Sequence, residues 1–173
     1  MFAAATEWVC PENFPDLKEH KYIAIDLETK DPNLKSKGSG ALTNEGEIIG
    51  VAVAVEGWSG YFPIAHREGN LPRKKVLDWL QEICLLPSTK IFHNAMYDMC
   101  WLRAYNIQVN GYIIDTMVMA ALVDENRYSY SLNSLCYDHL GEVKDESILT
   151  TAAEKAGADP KAEMYKLPAM YVG

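Results

Sequence analysis

The chain has 173 residues and a formal net charge of −8. This length suits one domain with a buried core, and the 49% share of hydrophobic residues excludes an intrinsically disordered protein. The acidic balance argues against a protein that coats duplex nucleic acid with Lys and Arg. The acidic balance is compatible with a protein that binds a few nucleotides through bound cations. No apolar run approaches the roughly 18 residues that span a bilayer, so we expect no membrane contact.

The N-terminus and the cysteines indicate a cytoplasmic protein. The first residues carry neither the basic region nor the long apolar stretch of a signal peptide. The cysteines are far apart and form no CxxC pair: Cys10, Cys84, Cys100 and Cys136. This spacing disfavours zinc binding, and we expect free, buried thiols in a reducing compartment.

Residues 1–20 are predicted to form an irregular N-terminal arm, and residues 21–173 the folded domain. Apolar, β-prone runs predict strands at 22–25, 48–55, 61–64, 90–93 and 113–114. The polar stretch 31–47 is predicted to be a loop, and 56–60 the turn of a hairpin. Helical spacing predicts helices between Asn70, a candidate cap, and Pro87, and then at 95–105, 116–123, from 130 onward, at 147–156 and at 160–165. This order indicates an α/β fold, with a central mixed sheet flanked by helices.

The first candidate functional feature is Asp26-Leu27-Glu28, directly after the run 22–25. Side chains alternate along an extended chain, so Asp26 and Glu28 share one side and Leu27 takes the other. Two adjacent carboxylates repel unless a cation joins them, and Mg²⁺ and Mn²⁺ prefer such oxygen ligands. For an isolated Asp-x-Glu, a solvated pair of acids is the simpler interpretation.

The second feature is the segment Asn94-Ala95-Met96-Tyr97-Asp98, which follows the next predicted strand. Asn94 is suited to capping the following helix, and Asp98 lies one turn further on the same face. Ligands of open α/β sheets bind at the carboxyl ends of strands. Alone, an N-cap followed by an acid in the first turn is ordinary helix chemistry. Two acidic elements that both follow strands instead favour a shared metal site.

Together these segments resemble the DEDD superfamily of 3′–5′ exonucleases, in the form of the proofreading domains of family A, DNA polymerase I-type polymerases. The segment 23–29 resembles the first motif and 92–98 the second. Ile114-Asp115-Thr116-Met117, Leu122, Glu125 and Tyr130-Ser131-Leu132 are similar to the phage versions of these domains. The resemblance covers roughly residues 20 to 173. It implies a ribonuclease H-like fold. It also implies that the protein is located in the cytoplasm of a bacterium or of an infected host cell.

The resemblance implies two-metal-ion hydrolysis with Mg²⁺ or Mn²⁺, the two ions lying about 4 Å apart. Asp26 would bridge both ions, Glu28 would bind one and orient the attacking water, and Asp98 would hold the second. Asn94 would orient the site or touch the terminal nucleotide. Leu27 and Thr29 would form the floor under its base and sugar.

A third motif, Tyr-x-x-x-Asp, completes the site in the polymerase branch of this superfamily. Here Tyr137 and Tyr165 are followed four residues later by Gly141 and Ala169. We therefore expect the missing tyrosine and aspartate a few residues beyond Gly173, on a longer parent or a separate chain. We also expect the 173 residues alone to have much reduced activity.

Several further polar residues are given structural interpretations. Asp115 is predicted to cap the helix that begins near Thr116 rather than to serve as the fourth carboxylate. His93 is predicted to hydrogen-bond in the core. His66 is expected to lie in a solvated loop.

The expected function is proofreading: removal of nucleotides from a single-stranded or frayed DNA 3′ end, with a polymerase domain as partner on the same parent chain or on a separate subunit. One alternative is an exonuclease of the same superfamily that trims RNA 3′ ends and would read the 2′-hydroxyl. Another is a catalytically inactive module that binds DNA or a polymerase, which the absent third motif favours.

Overall fold

The computed structural model describes residues 6–173. Its strands are β1 (Tyr22–Lys30), β2 (Glu47–Val55), β3 (Trp58–Pro63), β4 (Thr89–Phe92) and β5 (Ile113–Asp115). Its α-helices are α1 (Leu34–Lys37), α2 (Gly40–Thr43), α3 (Arg73–Leu85), α4 (Ala95–Ala104), α5 (Thr116–Val123), α6 (Leu132–Leu140) and α7 (Ser147–Ala156). Two 3₁₀ turns follow, at Met164–Lys166 and Ala169–Tyr171.

The five strands form one sheet in the order β3-β2-β1-β4-β5. β1, β2 and β3 pair antiparallel, whereas β1, β4 and β5 pair parallel. The parallel strands need crossover connections, and helices provide them. The predicted mixed sheet with flanking helices is therefore confirmed. Its central strand is β1, which carries Asp26 and Glu28.

β1 is longer than predicted, because it continues past residue 25 to Lys30. Asp26, Leu27 and Glu28 therefore lie inside the strand and not beyond its end. Antiparallel pairing with β2 keeps this part of the chain extended, and the register shifts between Glu28 and Thr29. Such an irregularity locally bends a strand and re-aims its side chains.

The predicted loop at 31–47 is wrong in part. It contains two single-turn helices, α1 and α2, and its last residue already belongs to β2. Gly40 permits this packing, since a Cβ there would lie 1.9 Å from the carbonyl oxygen of Glu45. The sequence did not predict these helices because each has only four residues, too few to show a hydrophobic period.

The hairpin turn and the start of α3 also differ from the predictions. β2 and β3 are joined by Glu56 and Gly57 alone, with Gly57 at φ +79°, so the turn is tighter than the predicted 56–60. Asn70 does not cap α3. Its side-chain amide instead bonds the backbone N–H and C=O of His66, at 2.7 Å each.

The core lies between the sheet and helices α3 and α4. Its central members are fully buried: Ile23, Ile48, Val51, Phe62, Val76, Leu80 and Leu102. The arm, in its described part 6–20, contains no helix or strand. It packs on this core through Leu17 and through Phe14, whose ring lies 5.5 Å from that of Phe62. Within residues 6–173, no helix is long and apolar enough to cross a membrane.

Candidate metal-binding active site

The alternation of β1 separates the acidic side chains from the core. Leu27 is 5% exposed and belongs to the core, whereas Asp26 is exposed and Glu28 is partly buried. Asp26 and Glu28 thus share the face opposite Leu27, as the strand period requires. Both side chains line one cleft. The volume of this cleft is about 880 Å³, which is within the range of ligand pockets.

Asp98 completes an acidic cluster from a different element. It lies in the first turn of α4 and is 3% exposed. Its Oδ1 accepts a 3.0 Å hydrogen bond from the backbone N–H of Leu27. Because Leu27 stands between Asp26 and Glu28 in β1, this bond fixes Asp98 beside both acids.

The pKa of each of the three carboxyl groups is raised, first by burial and, for Glu28 and Asp98, also by the charge of Asp26. Burial, together with the charge of Asp26, raises the pKa of Glu28 to about 7. Burial and then the charge of Asp26 likewise raise the pKa of Asp98 to about 7. Asp26 is open to solvent, yet desolvation by the surrounding walls of the cleft raises its pKa, an effect that the charges of Lys144 and His93 oppose. Mutually repelling carboxyls of this kind are relieved by protonation or by a cation.

Asp115 holds the N-terminus of α4. Its two carboxylate oxygens accept from the backbone N–H groups of Asn94 at 3.0 Å and Ala95 at 2.8 Å. Asp115 also caps α5, as predicted, by accepting from Met117 N at 2.9 Å. Partial burial alone would raise the pKa of Asp115, but these backbone donors outweigh it and lower the pKa.

The prediction that Asn94 caps α4 through its side chain is therefore wrong. Asn94 occupies the N-cap position with a left-handed backbone, φ 67° and ψ 53°, but makes no side-chain capping bond. Its side chain is exposed. Asp115 takes over the cap because β5 pairs with β4 and brings it beside residue 94.

Tyr97, which the sequence interpretation did not single out, joins the end of β1 to α4. Its hydroxyl lies 2.7 Å from Thr29 Oγ1 and donates to Asp31 Oδ2 at 3.0 Å. Thr29 is thus tied to α4 directly after the register shift in β1. Tyr97 precedes Asp98, so the same link positions the first turn of the helix.

His66 lies in a loop, as expected, but the expectation that it is solvated is wrong. His66 is 6% exposed, and its Nε2 lies 2.5 Å from the hydroxyl of Tyr61. Burial lowers the pKa of His66 to about 4, although the nearby backbone of Met164 and Leu167 opposes the shift. The neutral ring therefore joins β3 to the C-terminal segment. His93 makes a hydrogen bond, as predicted, with its Nδ1 2.9 Å from Thr116 Oγ1, but it is only partly buried and lines the cleft of Asp26 rather than the core.

Lys144 is the second residue that the sequence interpretation missed. It lies between α6 and α7 and lines the cleft of Asp26 and Glu28. Its positive charge lowers the pKa of both acids. No local sequence pattern identifies it, because it reaches the cleft through a loop more than 100 residues away in the chain.

The residues fit a hard divalent cation by donor type. Asp26, Glu28 and Asp98 offer carboxylate oxygens, the ligands that Mg²⁺ and Mn²⁺ prefer. Burial first, and then the neighbouring charge of Asp26, raises the pKa of Glu28 and Asp98, and a cation would neutralise that charge. Among residues 6–173, however, no three acidic, histidine or cysteine side chains already converge as a preformed metal cage. Side-chain rotation toward the cation would accompany binding.

Comparisons with curated proteins point to DNA polymerases. A DNA-directed DNA polymerase of Pseudomonas phage M6 is 34% identical over 98% of this chain and 27% of its own length. DNA polymerase DpoZ of Salmonella phage PMBT28 is 30% identical over 83% of this chain and 21% of its own length. The chain therefore spans about a quarter or less of these relatives.

Solved structures with the same fold include NrnC of Brucella melitensis and the exoribonuclease RNase D of Escherichia coli. NrnC of Brucella melitensis with bound Mg²⁺ superposes with a TM-score of 0.57 at 19% identity, covering 87% of this chain and 70% of NrnC. Escherichia coli RNase D superposes with a TM-score of 0.54 at 15% identity, covering 90% of this chain and 38% of RNase D. These similarities establish the ribonuclease H-like fold.

The model of the 3′–5′ exonuclease family matches residues 10–167. This match includes β1, α4 and therefore all three clustered carboxylates. With the polymerase relatives, it establishes that the chain belongs to the 3′–5′ exonuclease family of family A DNA polymerases.

Proposed function

We propose that this chain removes nucleotides from the 3′ end of DNA by two-metal-ion hydrolysis, as the proofreading domain of a polymerase. One observation carries the proposal: Asp26 and Glu28 line one cleft, Asp98 bonds the backbone of Leu27 between them, and, after burial, the charge of Asp26 raises the pKa of both Glu28 and Asp98. Such clustering of perturbed carboxyls in a cleft is typical of functional sites. Family membership supplies the reaction class.

Two divalent cations, Mg²⁺ or Mn²⁺, would supply the activation of a water molecule and the stabilisation of the leaving 3′ oxygen. Asp26 would hold both ions, Glu28 one, and Asp98 the second. Asp98 has an oxygen left for this role, because only its Oδ1 accepts from Leu27 N. The Mg²⁺ bound to Brucella NrnC supports a metal-dependent site.

The substrate side of the proposal concerns Leu27, Thr29 and Asn94. The exposed side chain of Asn94 is available to a terminal nucleotide. Thr29, fixed by Tyr97, would offer a positioned surface beside the acids. The side chain of Leu27 is buried on the other face, so its contribution would come through its backbone N–H and Asp98.

DNA is the proposed substrate because the curated relatives are DNA polymerases. A single-stranded or frayed end is proposed because a paired terminal nucleotide must separate from its partner strand to reach the acids. We further propose residues 21–173 as the exonuclease domain, with 1–20 as its arm, and a polymerase domain as its partner on the same chain or a separate subunit. The proposed location is the cytoplasm of a bacterium or infected cell.

The test is Mn²⁺-dependent digestion of a 3′-labelled single strand of DNA. It compares the 173-residue chain and a version extended past Gly173, each with and without Asp26→Ala. We expect release of nucleoside 5′-monophosphates, abolished by Asp26→Ala. Undiminished digestion by the Asp26→Ala proteins would refute the two-metal assignment.

The same assay separates the alternatives. Preferential digestion of an RNA strand of the same sequence would favour the RNA-trimming activity. Strand binding without hydrolysis by either length of chain would favour the inactive module.

A further inference from the structure

Lys144 brings a positive charge into the acidic cleft from a distant loop. The loop that joins α6 to α7 places Lys144 among the residues that line the cleft with Asp26 and Glu28. A neighbouring cleft is lined by Glu28, Lys144 and Glu146. Lys144 and Glu28 therefore both line the two clefts.

The backbone of Lys144 is held by α6, whereas its side chain is largely exposed. The backbone N–H of Lys144 donates to Asn133 Oδ1 of α6 at 2.8 Å. Its Nζ lies 3.4 Å from Glu146 Oε1, and the Lys144 side chain is 63% exposed. An exposed pair at this separation contributes little to stability. Another anion can therefore replace Glu146 at small cost.

A nucleic-acid strand needs a cation at this point. The chain carries a net charge of −8, and the site adds three clustered carboxyls, so an incoming phosphate meets repulsion. Lysine is a common phosphate ligand, acting as a compact point charge on a flexible stem. The charge of Lys144 already acts on Asp26 and Glu28, which places it within electrostatic reach of a strand end bound there.

We propose that Lys144 binds a backbone phosphate of the strand whose 3′ end lies at Asp26 and Glu28, and that this phosphate replaces Glu146 as its partner. The inference rests on the proposed function, since it assigns a substrate contact to that site. Lys144 is a substrate-binding residue in this account and takes no part in bond cleavage.

A different role would leave a different signature. Lys144 could serve as a counterion of the carboxyls, to be displaced when metal binds. In that case its removal would strengthen Mn²⁺ binding and leave strand affinity and its salt dependence unchanged. The two roles therefore predict opposite outcomes for the same variant.

The experiment compares wild type, Lys144→Met and Lys144→Arg, with Lys155→Met as the matched control. Lys155 is an exposed lysine on α7. Binding of a fluorescent single strand of DNA is followed by anisotropy between 50 and 200 mM salt in EDTA, where nothing is hydrolysed. KM and kcat are measured separately with Mn²⁺, and Mn²⁺ affinity by calorimetry.

For Lys144→Met we expect roughly ten-fold weaker strand binding at 50 mM salt, as for one lost charged hydrogen bond. The slope of log K against log salt should become shallower by about 0.7, the value for one phosphate contact on a single strand. KM should rise while kcat changes little. Lys144→Arg should restore the slope, and Lys155→Met should match wild type.

A wild-type slope and KM in Lys144→Met would overturn the proposal, and tighter Mn²⁺ binding together with that wild-type slope would establish the counterion role instead. A wild-type protein that neither binds nor digests the strand would overturn the proposed function itself. The two failures are thus distinguishable.

Discussion

Leu27 and Asp98, 71 residues apart in the chain, are joined by a 3.0 Å hydrogen bond from the backbone N–H of Leu27 to Oδ1 of Asp98. This bond ties the first turn of α4 to the middle of β1, between Asp26 and Glu28. It holds a buried carboxyl close to two others. Ionised Asp98 is therefore repelled by Asp26 and Glu28, which lowers the stability of the fold. Such a cost is expected where function takes precedence over stability.

Asp98→Asn should stabilise the metal-free protein at alkaline pH. The pKa of Asp98 is raised to about 7, so its stabilising contribution is fully present below the unfolded pKa near 4 and is lost as pH rises through about 7. Asparagine keeps an oxygen for Leu27 N and cannot ionise. We expect Tm to exceed wild type by roughly 3–10 °C at pH 8, with no difference at pH 4.

The measurement is thermal unfolding in EDTA at several pH values, read as the difference between variant and wild type. The difference is needed because His66, whose pKa is lowered to about 4, changes stability in the opposite direction over the same range. Asp78→Asn, on the exposed face of α3, should show no such pH-dependent gain. An Asp98→Asn protein less stable than wild type at pH 8 would contradict the electrostatic account.

Mn²⁺ binding should release protons near neutral pH. Glu28 and Asp98 each have a pKa of about 7 and are therefore each about half protonated at pH 7. Metal ligands must be deprotonated, so binding should expel about one proton in total at pH 7 and close to none at pH 9. Calorimetry in two buffers of different ionisation enthalpy measures this number.

Glu28→Gln is the control for the proton count, and should leave about half a proton released at pH 7. Proton release that does not depend on pH would show that the ion does not displace protons from these two carboxyl groups.

Asp115→Ala should destabilise the fold by about 2 kcal/mol, more than the loss of an ordinary cap. Its carboxylate accepts from the backbone of Asn94 and Ala95 as well as from α5, so two helices lose their N-terminal partner together. Urea denaturation measures the change. Asp145→Ala is the matched control, because Asp145 accepts locally from Ser147 N at 2.9 Å. Equal losses in the two variants would argue against a bridging role for Asp115.

Tyr97→Phe should destabilise the protein by about 1–2 kcal/mol and lower Mn²⁺-dependent digestion. The change removes the hydroxyl that bonds Thr29 and Asp31 and so loosens α4 where Asp98 begins its turn. A double-mutant cycle with Thr29→Val, followed by urea denaturation, isolates the Tyr97–Thr29 bond. We expect a coupling of about 1 kcal/mol, and strictly additive effects would show that the bond contributes nothing.

Local patterns in the sequence anticipated much of this fold. The spacing of apolar residues predicted α5 at 116–123 and α7 at 147–156 with the observed bounds. It also predicted the opposite faces of Asp26 and Leu27. These properties depend on the periods of helix and strand, which operate over a few residues.

Other predictions failed where a distant partner decides the outcome. Asn94 is of a residue type that favours N-caps, yet its side chain makes no capping bond, and Asp115 from β5 accepts instead from the backbone N–H groups of Asn94 and Ala95. His66 stands among polar residues, yet the hydroxyl of Tyr61 and the C-terminal segment bury it. Neither result follows from neighbouring residues.

By itself, the sequence determined that Asp26 and Glu28 share a face, because side-chain alternation is a property of the extended backbone. The motifs around them also indicated the family to which the chain belongs. Only the tertiary structure decided that Asp98 bonds Leu27 N and that Lys144 enters the same cleft. Those contacts depend on strand register and loop path, which join residues that no local period relates.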